Sequence, residues 1–377
     1  MSLLNTYSRY PLTVKSGDGC YLTDTNGRRY LDMITGIGVN AFGYSHPQIT
    51  ASLVEQAKLC IHTSNLVSNP YQQPLADRLC QMSGLDRVFF SNSGTEAMEA
   101  AIKAVRARST GGKSRIIALH GSFHGRTLGS LSITGQPELR QRFTFPGLEI
   151  SFIEPNNMPE LEAALSDDVA ALILEPVLGE GGIYPLDVLY LRRARELTKR
   201  ADAYLIADEV QCGLGRTAKY FAYQWAGILP DIAVTAKPLA AGLPLGATMF
   251  TEDAAQWLPP HSHGSTFGGG PLACRVALEV LDLLDQTLPK LCDLSNRFRA
   301  RLETLRPRHS IVREIRSKGM MFGIQLYGSG RSIVEAALSR GLLLNCTQDT
   351  VLRLLPPYIA GDCEIEDTVR ILDEVLP

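Results

Sequence analysis

None of the eight cysteines of this 377-residue chain (Cys20, Cys60, Cys80, Cys212, Cys274, Cys292, Cys346 and Cys363) forms a C-x-x-C pair. That argues against zinc ribbons and redox dithiols. Their irregular spacing fits reduced thiols in a cytoplasmic protein better than a disulfide framework. No basic run occurs, and 37 basic against 39 acidic residues leave a formal charge of -2. Nucleic acid and acidic membrane surfaces are therefore not expected partners. No apolar run approaches the length of a membrane span. The start, Met1-Ser-Leu-Leu-Asn-Thr-Tyr-Ser-Arg9, lacks the charged and apolar regions of a signal peptide. The chain also has no phosphate-binding Walker motif, because Gly111-Gly112-Lys113-Ser114 lacks a glycine four residues before the pair. Repeats, low-complexity tracts and long linkers are missing as well. What remains is an ordinary soluble composition, 45% hydrophobic and 20% charged, in a chain long enough for two or three domains.

The pattern along the chain then sets the fold class. Residues 1–45 alternate short strand-like pieces with turns, and Asn26-Gly27 between apolar runs signals a hairpin. Gly36-Ile37-Gly38-Val39-Asn40 resembles part of a dinucleotide fingerprint but lacks its third glycine. Helical segments are expected from Pro47 to about Ile61 and from Pro74 to Met82. From Arg87 to Phe250 one theme repeats, a short apolar run, a turn and a helix-period segment. The apolar runs are 88–90, 116–119, 150–153, 170–174, 204–207, 232–234 and 245–250. Strands alternating with helices imply an α/β fold, with a mostly parallel seven-stranded sheet and helices on both faces. After about Pro271 a long helix, 272–288, leads into a mixed α+β segment. The expected division is 1–45 as part of a small domain, 46–270 as a large α/β domain, and 271–377 as the rest of the small one.

Chemistry-bearing residues cluster where apolar runs end. Lys237 follows the run 232–234 and precedes Pro238, Gly242 and Pro244, which force a loop. Ligands of open α/β sheets gather beyond the carboxyl ends of strands. A lysine enclosed there has a depressed pKa, and its neutral amine is a nucleophile toward carbonyls; an ordinary surface lysine is the alternative. Ser93-Gly94-Thr95-Glu96 opens a helix with capping-box spacing, which makes it either a plain cap or a phosphate cradle. Phe123-His124-Gly125-Arg126 offers a ring to stack on a planar group and a fork for a carboxylate, or else core filling. Asp208, with Glu209 and Gln211, ends a buried run, where an acid is costly unless paired. Glu175 and Glu180 lie on a glycine-rich loop, and Arg353 lies on an apolar run. His120 with His124, and His261 with His263, lack the further ligands a zinc site needs, so no metal is expected.

Taken together, Ser93-Gly-Thr-Glu-Ala, Phe123-His-Gly-Arg, Glu175-Pro-Val-Leu-Gly-Glu-Gly-Gly, Asp208-Glu-Val-Gln, the Lys237 loop and His263-Gly-Ser-Thr-Phe-Gly-Gly resemble the class III aminotransferases. The likeness spans nearly the whole chain. It implies the fold type I architecture, pyridoxal 5'-phosphate as cofactor, and a homodimer with shared active sites. Lys237 would attach the cofactor and shuttle the proton, and Asp208 would hold its ring nitrogen protonated. Val210 would contact the cofactor, Gln211 would sit near its phenolic oxygen, Phe123 would stack on its ring, and Ser93, Gly94 and Thr95 would bind the phosphate. Thr266 would reach that phosphate from the neighbouring subunit, with Ser265 near the substrate. Arg126 would grip a substrate carboxylate, and Glu180 would cover Arg353 in one half-reaction and release it in the other. Within the class, the segment from Thr35 to Pro47 is similar to the acetylornithine subgroup. The implied substrates are N2-acetylornithine and 2-oxoglutarate, giving a semialdehyde and glutamate in arginine biosynthesis; succinylornithine, ornithine or 4-aminobutyrate as donor, a non-transaminating pyridoxal phosphate enzyme and a non-catalytic homologue are the alternatives. No aromatic side chain stands near Gly36, which leaves room for an acyl group, although Tyr44 is close enough in sequence to fold in. Leu178, Gly270 and the run Pro238-Leu-Ala-Ala-Gly242 depart from the family pattern.

Overall fold

A computed structural model of the chain describes residues 2–109, 113–143 and 147–377. Gly111 and Gly112 of the incomplete phosphate motif fall outside them. The seven apolar runs form one sheet: β1 (Arg87–Ser91), β2 (Arg115–Leu119), β3 (Glu149–Ile153), β4 (Val169–Leu174), β5 (Tyr204–Asp208), β6 (Ile232–Thr235) and β7 (Gly246–Phe250). Their spatial order is β1-β7-β6-β5-β4-β2-β3. β7 runs antiparallel to both its neighbours, and the remaining pairings are parallel. Every residue of β4, β5, β6 and β7 is buried, because helices cover both faces of a parallel sheet and each strand must be apolar throughout.

Helix α1 (Gly94–Arg108) follows β1 and turns Ala97, Met98, Ala101, Ile102 and Val105 inward, the spacing of a single helix face. Helix α2 (Val188–Arg200) precedes β5 and buries Leu191, Ala194 and Leu197. Six strands point the same way, so the ends of β1, β2, β5 and β6 and the loops after them share one edge of the sheet. Ser93, Phe123, Asp208 and Lys237 meet there.

The rest of the chain builds two smaller sheets. The hairpin predicted at Asn26-Gly27 joins Tyr21–Asp24 to Arg29–Asp32. Leu342–Leu343, from the far end of the chain, adds a parallel strand to Arg29–Asp32. A second sheet pairs Val312–Lys318, Met321–Leu326, Val351–Leu354 and Asn345–Thr347, all antiparallel. Between these sheets and the large one lies helix α3 (Pro271–Glu303), which runs through Pro289 instead of stopping before it. Apolar residues on both sides of the proline explain why. Leu281 and Leu284 precede it, Leu291 and Phe298 follow it, and all four are buried in one core. Phe298 meets Phe322 at 4.9 Å between ring centroids. Burying a side chain of that size contributes on the order of 1.5–3 kcal/mol, comparable with the roughly 3 kcal/mol that an interior proline costs.

Candidate active site

A cavity of about 460 Å³ opens at the shared strand edge. Lys237 reaches it two residues beyond β6, in the short helical turn Lys237–Ala240. Its backbone is left-handed (φ 31°), a strained conformation for a residue with a Cβ and one that clusters at functional sites. Burial pushes its amine below the ordinary lysine range, while the Glu180 carboxylate draws it partly back. The amine is therefore closer to its nucleophilic form than a surface lysine would be.

Asp208, the last residue of β5, is buried, and its carboxylate is held from two sides. Oδ1 accepts the Val210 N–H at 3.0 Å, and Oδ2 lies 2.7 Å from His124 Nδ1. His124 is itself buried, and its Nε2 has no hydrogen-bond partner. That ring orients the carboxylate, a role the sequence pattern did not reveal. Phe123 is half-buried against the same cavity, and its backbone N–H donates to Glu175 Oε1 at 2.8 Å. Glu175 Oε2 accepts the Gly179 N–H at 3.0 Å, so one buried acid ties the Phe123 loop to the loop carrying Glu180. Burial raises the Glu175 carboxyl above its ordinary range.

At the start of α1, Ser93 caps the helix through Glu96 N–H at 3.3 Å. The Glu96 carboxylate bonds the N–H of Asn92 rather than that of Ser93, so the capping box is only half formed. Gly94 is required by packing: a Cβ there would lie 2.8 Å from Val210 Cγ1. The first-turn N–H groups of Gly94 and Thr95 have no acceptor within the helix. The Thr95 hydroxyl is already engaged, at 2.6 Å from Ser130 Oγ and 2.8 Å from Thr127 Oγ1. Thr95 therefore presents its N–H to the cavity rather than a free hydroxyl. Arg126 is exposed at the rim, 5.5 Å from the Phe123 ring centroid, and makes no ion pair among the described residues.

Glu180 and Arg353 touch, with Arg353 Nη1 2.5 Å from Glu180 Oε1. Arg353 is only 1% exposed and also donates to Asn345 Oδ1 at 3.2 Å and Gln211 Oε1 at 3.2 Å. Burial pushes the Glu180 carboxyl up, but the Arg353 and Lys237 charges outweigh it and hold the group below its usual range. Gln211 donates back to Glu180 Oε1 at 3.3 Å. Its amide packs so tightly on Gly179 that a Cβ there would fall 2.1 Å from Gln211 Oε1.

Ser265 and Thr266 lie elsewhere. They line a neighbouring cleft that shares Asn92 with the main cavity, and the Ser265 hydroxyl accepts from Asn92 Nδ2 at 3.1 Å. Tyr44 is bonded to Asp32 Oδ2 at 2.5 Å, and the cavity wall at that end is Val39. Leu178 is packed in the core beneath the site. Gly270 caps the start of α3.

Residues 4–376 match the family described as Aminotransferase class-III. The chain is 41% identical, over 99% of both sequences, to an acetylornithine aminotransferase of Aquifex aeolicus. Among solved structures it is similar to an ornithine aminotransferase from Toxoplasma gondii (TM-score 0.94, 31% identity, covering 99% of this chain and 92% of that one). It is also similar to an N-acetylornithine aminotransferase from Stenotrophomonas maltophilia (TM-score 0.85, 32% identity, covering 97% and 96%).

Proposed function

Because the chain belongs to the class III aminotransferases, which use pyridoxal 5'-phosphate, we propose that it moves the terminal amino group of N2-acetylornithine to 2-oxoglutarate. The products are the semialdehyde and glutamate, as a step of arginine biosynthesis in the cytoplasm. One observation carries the two-substrate reading: a buried arginine, Arg353, covered by the carboxylate of Glu180. The donor assignment is supported by the cavity wall at Val39, since Tyr44 is bonded to Asp32 instead of occupying that space.

The donor set suits the cofactor. A buried carboxylate, a half-buried ring, free helix N–H groups and an amine whose pKa burial lowers surround one cavity. When bound, pyridoxal phosphate withdraws electrons from the substrate carbon that bears the nitrogen. Asp208, oriented by His124, would hold the proton on the cofactor's ring nitrogen. Gly94 and Thr95 N–H and the Ser93 hydroxyl would hold the phosphate. The Lys237 amine would take the proton from the substrate carbon that bears the nitrogen and deliver it to the cofactor's aldehyde-derived carbon, so that the nitrogen stays with the cofactor. Arg126 holds the donor's carboxylate, and Arg353, uncovered by Glu180, holds the α-carboxylate of 2-oxoglutarate.

The likeness to an ornithine aminotransferase structure makes ornithine the second reading. The test compares kcat/KM of the cofactor-loaded protein for N2-acetylornithine, ornithine and 4-aminobutyrate, each with 2-oxoglutarate, by glutamate formed. N2-acetylornithine is expected to lead by on the order of tenfold or more. An equal or faster free ω-amine would discard the donor assignment, and no glutamate from any of them would discard transamination of this donor class.

A further inference from the structure

The turn at 348–350 joins Asn345–Thr347 to Val351–Leu354, the strand that carries Arg353. Two of its residues, Gln348 (φ 51°) and Asp349 (φ 58°), are left-handed although neither is glycine. That conformation is disfavoured for any residue with a Cβ, and glycine or asparagine is the usual occupant. Asp349 has local partners: its carboxylate takes the Ser329 hydroxyl at 3.0 Å and the Arg331 guanidinium at 2.8 Å. Gln348 is exposed, so no core packing requires its side chain. Its amide Nε2 donates from the turn to the carbonyl of Glu180, on a separate loop, at 3.0 Å.

The rest of the Glu180 loop is held by its backbone too. Gly179 N–H is fixed by Glu175, the Gly182 carbonyl accepts from Arg316 Nη2 at 2.8 Å, and the Ile183 carbonyl accepts from Arg316 Nε at 3.2 Å. We propose that Gln348 is a positioning residue for the Glu180–Arg353 gate, and that the left-handed turn is retained because it aims this amide at the Glu180 carbonyl. One hairpin then fixes both halves of the ion pair, Arg353 as a side chain on its strand and Glu180 through its main chain. Gate opening is confined to the Glu180 side chain, so the carboxylate returns to one place after each half-reaction. Without the anchor the backbone at 180 gains freedom and the pair spends less time closed. Arg353 is then exposed to α-carboxylates in both half-reactions. The inference rests on the gated two-substrate reading above.

The test measures each half-reaction separately in the cofactor-loaded protein, with the best ω-amino donor and with glutamate, for wild type, Gln348→Ala and Gln348→Gly. The ratio of kcat/KM for the ω-amine to that for glutamate is expected to fall about two- to tenfold in both variants, the scale of one hydrogen bond. The change should sit mainly in KM for glutamate. Gln348→Gly also relieves the turn, so its thermal midpoint should rise while its ratio falls. Ratios within twofold of wild type in both variants would overturn the proposal, as would a ratio that follows stability, lower in the alanine variant and higher in the glycine variant. A wild type that prefers another ω-amine overturns only the donor assignment, because the ratio is then read with that amine.

Discussion

Asp208 and Glu209 are adjacent acids at the end of β5, yet they do unrelated work. Asp208 faces the cavity. Glu209 turns away from it and accepts the N–H groups of Ala222 and Tyr223, both at 2.9 Å. Burial pushes its carboxyl up to about 7, in spite of those hydrogen bonds. The folded chain therefore keeps this proton at pH values where the unfolded chain has released it. Its contribution to stability is complete below the unfolded value of about 4.5 and is lost as pH rises through about 7. Between pH 5 and pH 7.5 the wild type should lose on the order of a few kcal/mol from this group. Glu209→Gln, which cannot ionise, should show a correspondingly shallower fall in urea midpoint. Parallel slopes for the two proteins would mean that Glu209 is charged throughout. Single residues were legible in the sequence only where a local rule places them. Lys237 and Asp208 follow apolar runs, and that position alone points to a strand end. His124 was not legible as the partner of Asp208, because 84 residues separate them. Nor was the engagement of the Thr95 hydroxyl by Ser130, 35 residues on.

Among elements, each of the seven apolar runs became a strand of the large sheet, because strands covered on both faces must be continuously apolar. Direction was not legible: nothing in the run 245–250 marks β7 as antiparallel, since an apolar run reads the same both ways. The third neighbour of the N-terminal strands, Leu342–Leu343, was hidden by its distance along the chain. Helix α3 was misjudged for a physical reason, a proline that propensity treats as a stop and that tertiary packing overrides. Pro289 is exposed, so its replacement removes no core contact. Pro289→Ala should restore a helix hydrogen bond to Asp285 and raise stability by about 1 kcal/mol, after allowance for the greater freedom of the unfolded chain. The thermal midpoint should rise by roughly 1–3 °C. A lower midpoint would show that the rigidity of the proline outweighs the recovered hydrogen bond.

At the scale of the whole molecule, two of the expected site residues stand apart from the main cavity within one chain. Ser265 and Thr266 line a cleft beside the main cavity, while Leu59, Ile61, Leu66 and Phe267 stand well exposed nearby in sequence or space. Apolar exposure of this kind marks an interaction surface. In the homodimer that the family resemblance implies, Thr266 of each subunit would serve the other's phosphate site. Mixing two defective chains separates that arrangement from a self-contained site. Lys237→Ala removes the amine, and Thr266→Glu places a negative charge where the phosphate would be met; each should be inactive alone. In a hybrid dimer with shared sites, one site collects both defects and the other has neither. The purified hybrid would then carry about half the wild-type number of intact sites. If each chain completed its own site, every site in the hybrid would carry one defect and no activity would return. Co-expression of the two variants under separate affinity tags, with glutamate formation measured on the doubly purified hybrid, decides between them.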